Sequence, residues 1–179
     1  MPFPLPGKIR IWFDDDTLCR FPSGRTETRD IAAQPSSIHQ ERRVTAELVV
    51  RSPELFPYGL LGAVFRPNSS NVLHVEVNCD SRTSETLSDN LAFPRRTVLA
   101  GLPHEFAPAV FDGVVNSGTS ERLGGGLLRF DCAAYDDYGS TLPAFERLSG
   151  VVTHLLTVDP IERDTEHISA MLARIVPGR

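Results

Sequence analysis

The stretch GLPHEFAPAVFDGV, Gly101 to Val114, fixes where one helix of this chain can begin. Pro108 lacks a backbone N–H and has its φ locked near the helical value, so it fits a first helical turn and not an interior. A helix is therefore predicted from about Ala107, with Val110, Phe111 and Val114 as its apolar stripe and Asn116 to Gly118 as its stop. Pro103 sets the path of the lead-in chain, Phe106 is expected to pack near the helix start, and Gly113 to permit close approach to a sheet. His104, inside the same stretch, is expected to be exposed and stays a candidate functional residue.

Before this joint the chain reads as strands. Lys8 to Phe13 alternates basic and apolar residues, Arg43 to Arg51 places Val44, Ala46, Leu48 and Val50 on one face, and PYGLLGAVFRP is bounded by prolines. Asn71 to Cys79 is a further strand, with Val75 and Val77 alternating against His74, Glu76 and Asn78. Between Asp14 and about Arg43 the composition is polar and suggests a long loop or arm, with DDDTLCRF as a conceivable return strand. Residues 80–100 begin polar and turn apolar near Leu91, without deciding between helix and strand.

After the joint, TSERLGGG is a turn-rich connector and Leu127 to Tyr135 a strand. PAFERLSGVVTHLL repeats apolar residues at helical spacing, from Ala144 and Phe145 to Leu155. Asp159, Pro160 and Glu162 form a capping box for a last helix to Val176, with Ile161, Ile168, Leu172 and Ile175 on one face. Strands followed by helix, strand, helix and helix imply an α+β fold with helices on one face of a sheet. The organisation expected is an N-terminal strand and polar arm over 1–42, an α+β domain over 43–158 and a C-terminal helix over 159–179.

A chain of 179 residues, 41% hydrophobic, can bury one full core. With 23 acids against 18 bases the net charge is -5, so it lacks the basic excess of a free-standing nucleic-acid binder. Any RNA contact has to come from a local patch. Cys19, Cys79 and Cys132 form no CxxC pair, and buried free thiols are expected. No run approaches the 18 or so apolar residues that span a bilayer, and the proline-rich start MPFPLPGKIR lacks the apolar region of a signal peptide. A cytoplasmic protein without membrane contact is expected.

From Gly101 to Leu156 the residues resemble the second half of domain IV of translation elongation factor G. That family carries a glycine, then proline, acid and aromatic, then Pro-Ala-Val, and a glycine with an aliphatic residue. Here these are Gly101, Pro103, Glu105, Phe106, Pro108, Ala109, Val110, Gly113 and Val114, followed by Tyr135-Asp136 and Ala144-Phe145 in family order. The resemblance implies a mostly antiparallel sheet backed on one face by two helices with a left-handed crossover, here extended by a C-terminal helix. It also implies a macromolecule-binding role beside the ribosome and its RNA, through loops at one end of the sheet. The loop after Tyr-Asp is DDYGSTLP, shorter than in the family and without its histidine. No GxxxxGK[ST] phosphate loop is present, so GTP hydrolysis by that device is excluded.

Candidate contacts follow from these readings. Arg42 and Arg43 with Arg95 and Arg96 are the expected basic patch, and Asp136, Asp137 and Tyr138 are the expected loop contacts for RNA or a protein partner. The runner-up is a protein-interaction or assembly module, and a third reading is an enzyme using His74 and Glu76, which share one strand face with Asn78. Its H-x-E spacing resembles that of zinc deaminases, but the P-C-x-x-C partner is missing. Asp14 to Asp16 have no cation-loop spacing, and Gly124 to Gly126 precede a strand instead of opening a helix. No catalytic residue, metal or cofactor is assigned. A second route to a partner is self-association through the C-terminal helix.

Overall fold

The computed structural model describes residues 7–14, 21, 24–50, 57–80, 85–92, 96–164, 166, 168–170 and 172. Its strands are β1 (Gly7–Phe13), β2 (Arg25–Ala32), β3 (Arg42–Val50), β4 (Tyr58–Pro67), β5 (Val72–Cys79), β6 (Leu99–Ala100) and β7 (Gly126–Tyr135). They form one mixed sheet in the order β1-β3-β4-β7-β5-β2, with β6 added beside β7. The β5–β7 pairing is parallel and all the others are antiparallel. Strand β7 bends at a register shift opposite Gly62 and Ala63, and past it β6 takes the place β5 has vacated.

Helices α1 (Ala107–Asn116) and α3 (Leu142–Leu156) cover one face of this sheet, and α2 (Ser120–Leu123) is a single turn before β7. The alternation of each strand aims Val44, Ala46, Leu61, Ala63, Phe65, Val75, Val77, Leu128 and Phe130 into that layer. There they meet Val110, Val114, Phe145, Leu148 and Val152, all buried. Phe106 closes the start of α1 by packing on Phe145, with ring centroids 4.7 Å apart. The proline-set start at Ala107 is observed, preceded by a 3-10 turn over His104–Phe106. Gly113 approaches α3 and not the sheet as expected: a Cβ there would collide with the Glu146 carbonyl oxygen and lie 2.8 Å from Ser149 Cβ.

Two further expectations are corrected, for the polar arm and for the last helix. The polar stretch after Asp14 is not a loop throughout, because β2 lies within it and forms the far edge of the sheet beside β5. RTETRDIA gives no amphipathic signal since an edge strand exposes most of its side chains. DDDTLCRF falls almost entirely outside the described residues. Among its described residues, the undecided segment before the joint contributes a bridge, Thr86 to Leu99, and the short β6.

The last helix does not start at Pro160. Asp159 accepts from Ile161 N as a cap should, but the turn closes as 3-10 over Pro160–Glu162, leaving Ile161 92% exposed. Helical bonding resumes with Ile168 N donating to Asp164 O, and Ile168 and Leu172 are buried as expected. Ile175 lies outside the described residues.

Candidate functional site

The loop after β7 is held by one acid. Asp136 is buried and accepts from Arg96 Nη1 at 2.9 Å and, through its other oxygen, from Tyr138 N at 3.0 Å. Its carbonyl accepts from Gly139 N and Ser140 N, while Ser140 Oγ donates to Tyr58 O at 2.8 Å. A Cβ at Gly139 would fall on the Arg96 guanidinium and crowd Asp136 Oδ2, so a side chain there would displace that ion pair. Thr141 then caps α3 by accepting from Ala144 N. The result is a tight turn bolted to the start of β4, with Asp137 exposed and Tyr138 91% exposed at its tip.

The expected arginine patch is not assembled. Arg42 turns its guanidinium to the carbonyls of Leu156 and Val158, at 2.9 and 3.0 Å, where a cation satisfies the C-terminal end of α3. Arg43, its neighbour in β3, points to the opposite face and forms a bidentate pair with Asp131, at 2.8 and 2.9 Å. Asp131 belongs to β7, so the guanidinium reaches across β4 to meet it. Arg96 is engaged by Asp136, and Arg95 lies outside the described residues. Each described arginine of the set has an internal partner on a different part of the molecule.

His74 and Glu76 do share the helix-free face. His74 Nδ1 meets Asp30 of β2 at 2.5 Å and its Nε2 lies 3.7 Å from Glu76, which in turn accepts from Arg129 Nε of β7. This is a ladder of polar side chains across neighbouring strands, half open to water, and each acid–base candidate is engaged by a neighbouring side chain. His104 is exposed on the 3-10 turn, apart from this ladder. No group of His, Cys, Asp and Glu able to hold a metal occurs among the described residues.

Two cavities of about 310 and 450 Å³ lie elsewhere, one between α1 and α3 and one beside Asp14 and Arg163. In the first, burial and the nearby Arg122 hold His154 below its ordinary pKa, so it is neutral near pH 7. Burial pushes the Cys79 thiol up to about 11, with Glu27 adding to the effect, so it is no nucleophile near neutrality.

Sequence reasoning missed Glu47. It lies wholly buried on the helix-free face, beneath the loop that carries Leu87, Leu91, Ala92 and Val98. Tyr58 Oη donates to its Oε1 at 3.0 Å, Leu91 N to the same oxygen at 2.6 Å, and Arg10 Nε lies 3.2 Å from Oε2. Its signal was a lone acid amid the buried alternation of β3, whose partners come from three distant segments.

Fold and loop together define a two-layer α+β protein with a hydrogen-bonded, aromatic-tipped turn at one end of its central strands. Comparison with protein-family models, with curated proteins and with solved structures found no match for this chain. No helix among the described residues is long and apolar enough to cross a membrane.

Proposed function

We propose that this chain is a non-catalytic macromolecule-binding module, built on a scaffold of the elongation factor G domain IV kind, that meets its target with the loop tip Asp137–Tyr138. The observation that carries the reading is the exposed Tyr138 on a turn locked by Asp136, Arg96 and Ser140. A pre-ordered aromatic loses little conformational freedom on binding and is a residue type that anchors interfaces. What supports the kinship is the quoted motif together with the element order β3-β4-β5-α1-β7-α3 and both helices on one face. The translation machinery is the target class that the resemblance points to, and the same reading expects a cytoplasmic protein.

The internal engagement of Arg42, Arg43 and Arg96 gives this binding a distinctive salt response. The purified chain is expected to co-sediment with ribosomes, and Tyr138→Ala to stay in the supernatant. Affinity is expected to change by less than about tenfold between about 50 and 200 mM salt, where a binder neutralising many phosphates loses about 10³–10⁵. A wild-type chain wholly in the supernatant removes the ribosomal target. Steep salt dependence removes the aromatic tip as the main contact.

A further inference from the structure

We infer that the free edge of β2 is a self-complementary surface through which two copies of this chain join their sheets. Strand β2 ends the sheet path, and no strand lies beyond it among the described residues. Its pairing to β5 sets which backbone groups face outward. Ala33 N donates to Asn71 O, its register partner by continuation, so antiparallel alternation gives the odd residues of β2 to β5. Residues 28, 30 and 32 then turn their N–H and C=O groups away from the sheet.

A two-fold axis perpendicular to the sheet brings β2 against its own copy in antiparallel register, and only a few registers are open. Centred on Thr28, the register sets Glu27 opposite Arg29 of the copy and Arg29 opposite its Glu27. Arg25 then faces Ile31, and Asp30 faces Thr26. These Glu–Arg positions are non-hydrogen-bonded pairs, where side chains stand closest. Moving the centre by one residue toward Glu27 or Arg29 puts Glu27 against itself and Arg25 against Arg29, or Arg29 against itself. Charge therefore opposes the registers on either side, and of the charge-matched ones the Thr28-centred pairing engages β2 from Arg25 to Ile31, whereas a Thr26-centred one, with Arg25 opposite Glu27, engages only the start of the strand.

The side chains involved are available. Arg29 is 41% exposed, held over the Phe111 ring and beside Asp112, while Glu27 sits next to Arg25 on the same face. The copy's Arg29 extends that Arg25–Glu27 pair into a chain of alternating charge. No proline or bulge interrupts the pairing of β2 with β5 from Arg25 to Ala32, and the charges that would repel a foreign strand at this edge are complementary to its own copy in the Thr28-centred register.

The test is the mass of the full chain by light scattering and sedimentation equilibrium, with circular dichroism to confirm folding. Wild type is expected to weigh as two chains, and Glu27→Arg and Arg29→Glu each as one, because each variant opposes like charges across the axis. Mixed together, those two variants are expected to recover the two-chain mass, since every arginine then faces a glutamate. Thr28→Pro is a second route: it removes an outward N–H without touching the ladder to β5, and is expected to give a folded single chain. Wild type at the mass of one chain overturns the inference, as do folded variants that keep the two-chain mass or a mixture that does not associate.

Discussion

Gly113→Ala, the smallest substitution the position allows, is expected to lower folding stability by about 3 kcal/mol or more. The added Cβ would strike the Glu146 carbonyl and Ser149 Cβ, and both belong to the body of α3 and cannot swing aside. In an isolated helix the change would stabilise by about 1 kcal/mol, because alanine is the better helix former. Parting two packed helices costs more. It also stretches the 2.7 Å bond from Ser149 Oγ to Val110 O, worth about 1 kcal/mol where both groups are buried. Gly150→Ala is the control from the same interface. Its Cβ would meet Gly113 O at 3.4 Å and Ser117 Cβ at 3.6 Å, close to ordinary contact, so a neutral or slightly stabilising effect is expected. Urea denaturation of the two variants checks the contrast, and equal midpoints would sink the assignment of Gly113 as the crossing point of α1 and α3.

Removing the Glu47 side chain by Glu47→Ala is expected to cost about 2 kcal/mol, because Tyr58 Oη and Leu91 N lose the acceptor they share in a buried site, while Arg10, 31% exposed, keeps its pair with Asp89 at 2.9 Å. The loop over the helix-free face should loosen with it, read as faster hydrogen exchange at Leu91. The wild type carries a pH signature of the same group. Burial raises the Glu47 pKa above 4.5, opposed by the Leu91 amide, Arg10 and Tyr58, and assisted by Asp89. The folded state thus holds the proton more tightly than the unfolded chain. Its stabilising contribution is complete below the ordinary carboxylate value and is lost as pH rises through the folded pKa.

Stability is therefore expected to decline with pH above about 4.5, and Glu47→Gln to flatten that decline. Asp14 acts in the other direction. Burial raises its pKa, but the bond from Arg163, the Arg43 amide and the charges of Arg163 and Arg42 outweigh it and leave the group below 3.8. Its contribution is lost only as pH falls through that lower value, so the two windows do not overlap. A Glu47→Gln profile as steep as wild type above pH 4.5 would show that another group is responsible.

Prolines and apolar spacing made α1, α3, β3, β4, β5 and β7 legible, because each has one clearly buried face or, in β3 and β4, two. Strand β2 escaped because nearly all of its side chains reach water, and its partner β5 lies 40 residues onward with no turn between them to mark the pairing. The C-terminal capping box was read correctly at Asp159 but not in its outcome, since a cap favours any helical turn and the 3-10 form closed first. Among candidate contacts, the exposure of Tyr138 follows from a turn, whereas the burial of Asp136 beneath it needed Arg96, 40 residues earlier. Partners of Arg42 and Arg43 depended on strand order, which local spacing does not carry.

The central place of β7 has a consequence for how the molecule is made. Among the described residues it is the last strand of the sheet to be synthesised, yet it alone joins β1-β3-β4 to β5-β2. Until Gly126–Tyr135 emerge, the growing chain holds a three-stranded piece and a two-stranded piece with no edge in common. Their inward edges stay open during that interval, when the unpaired strands of a growing sheet are most exposed to aggregation.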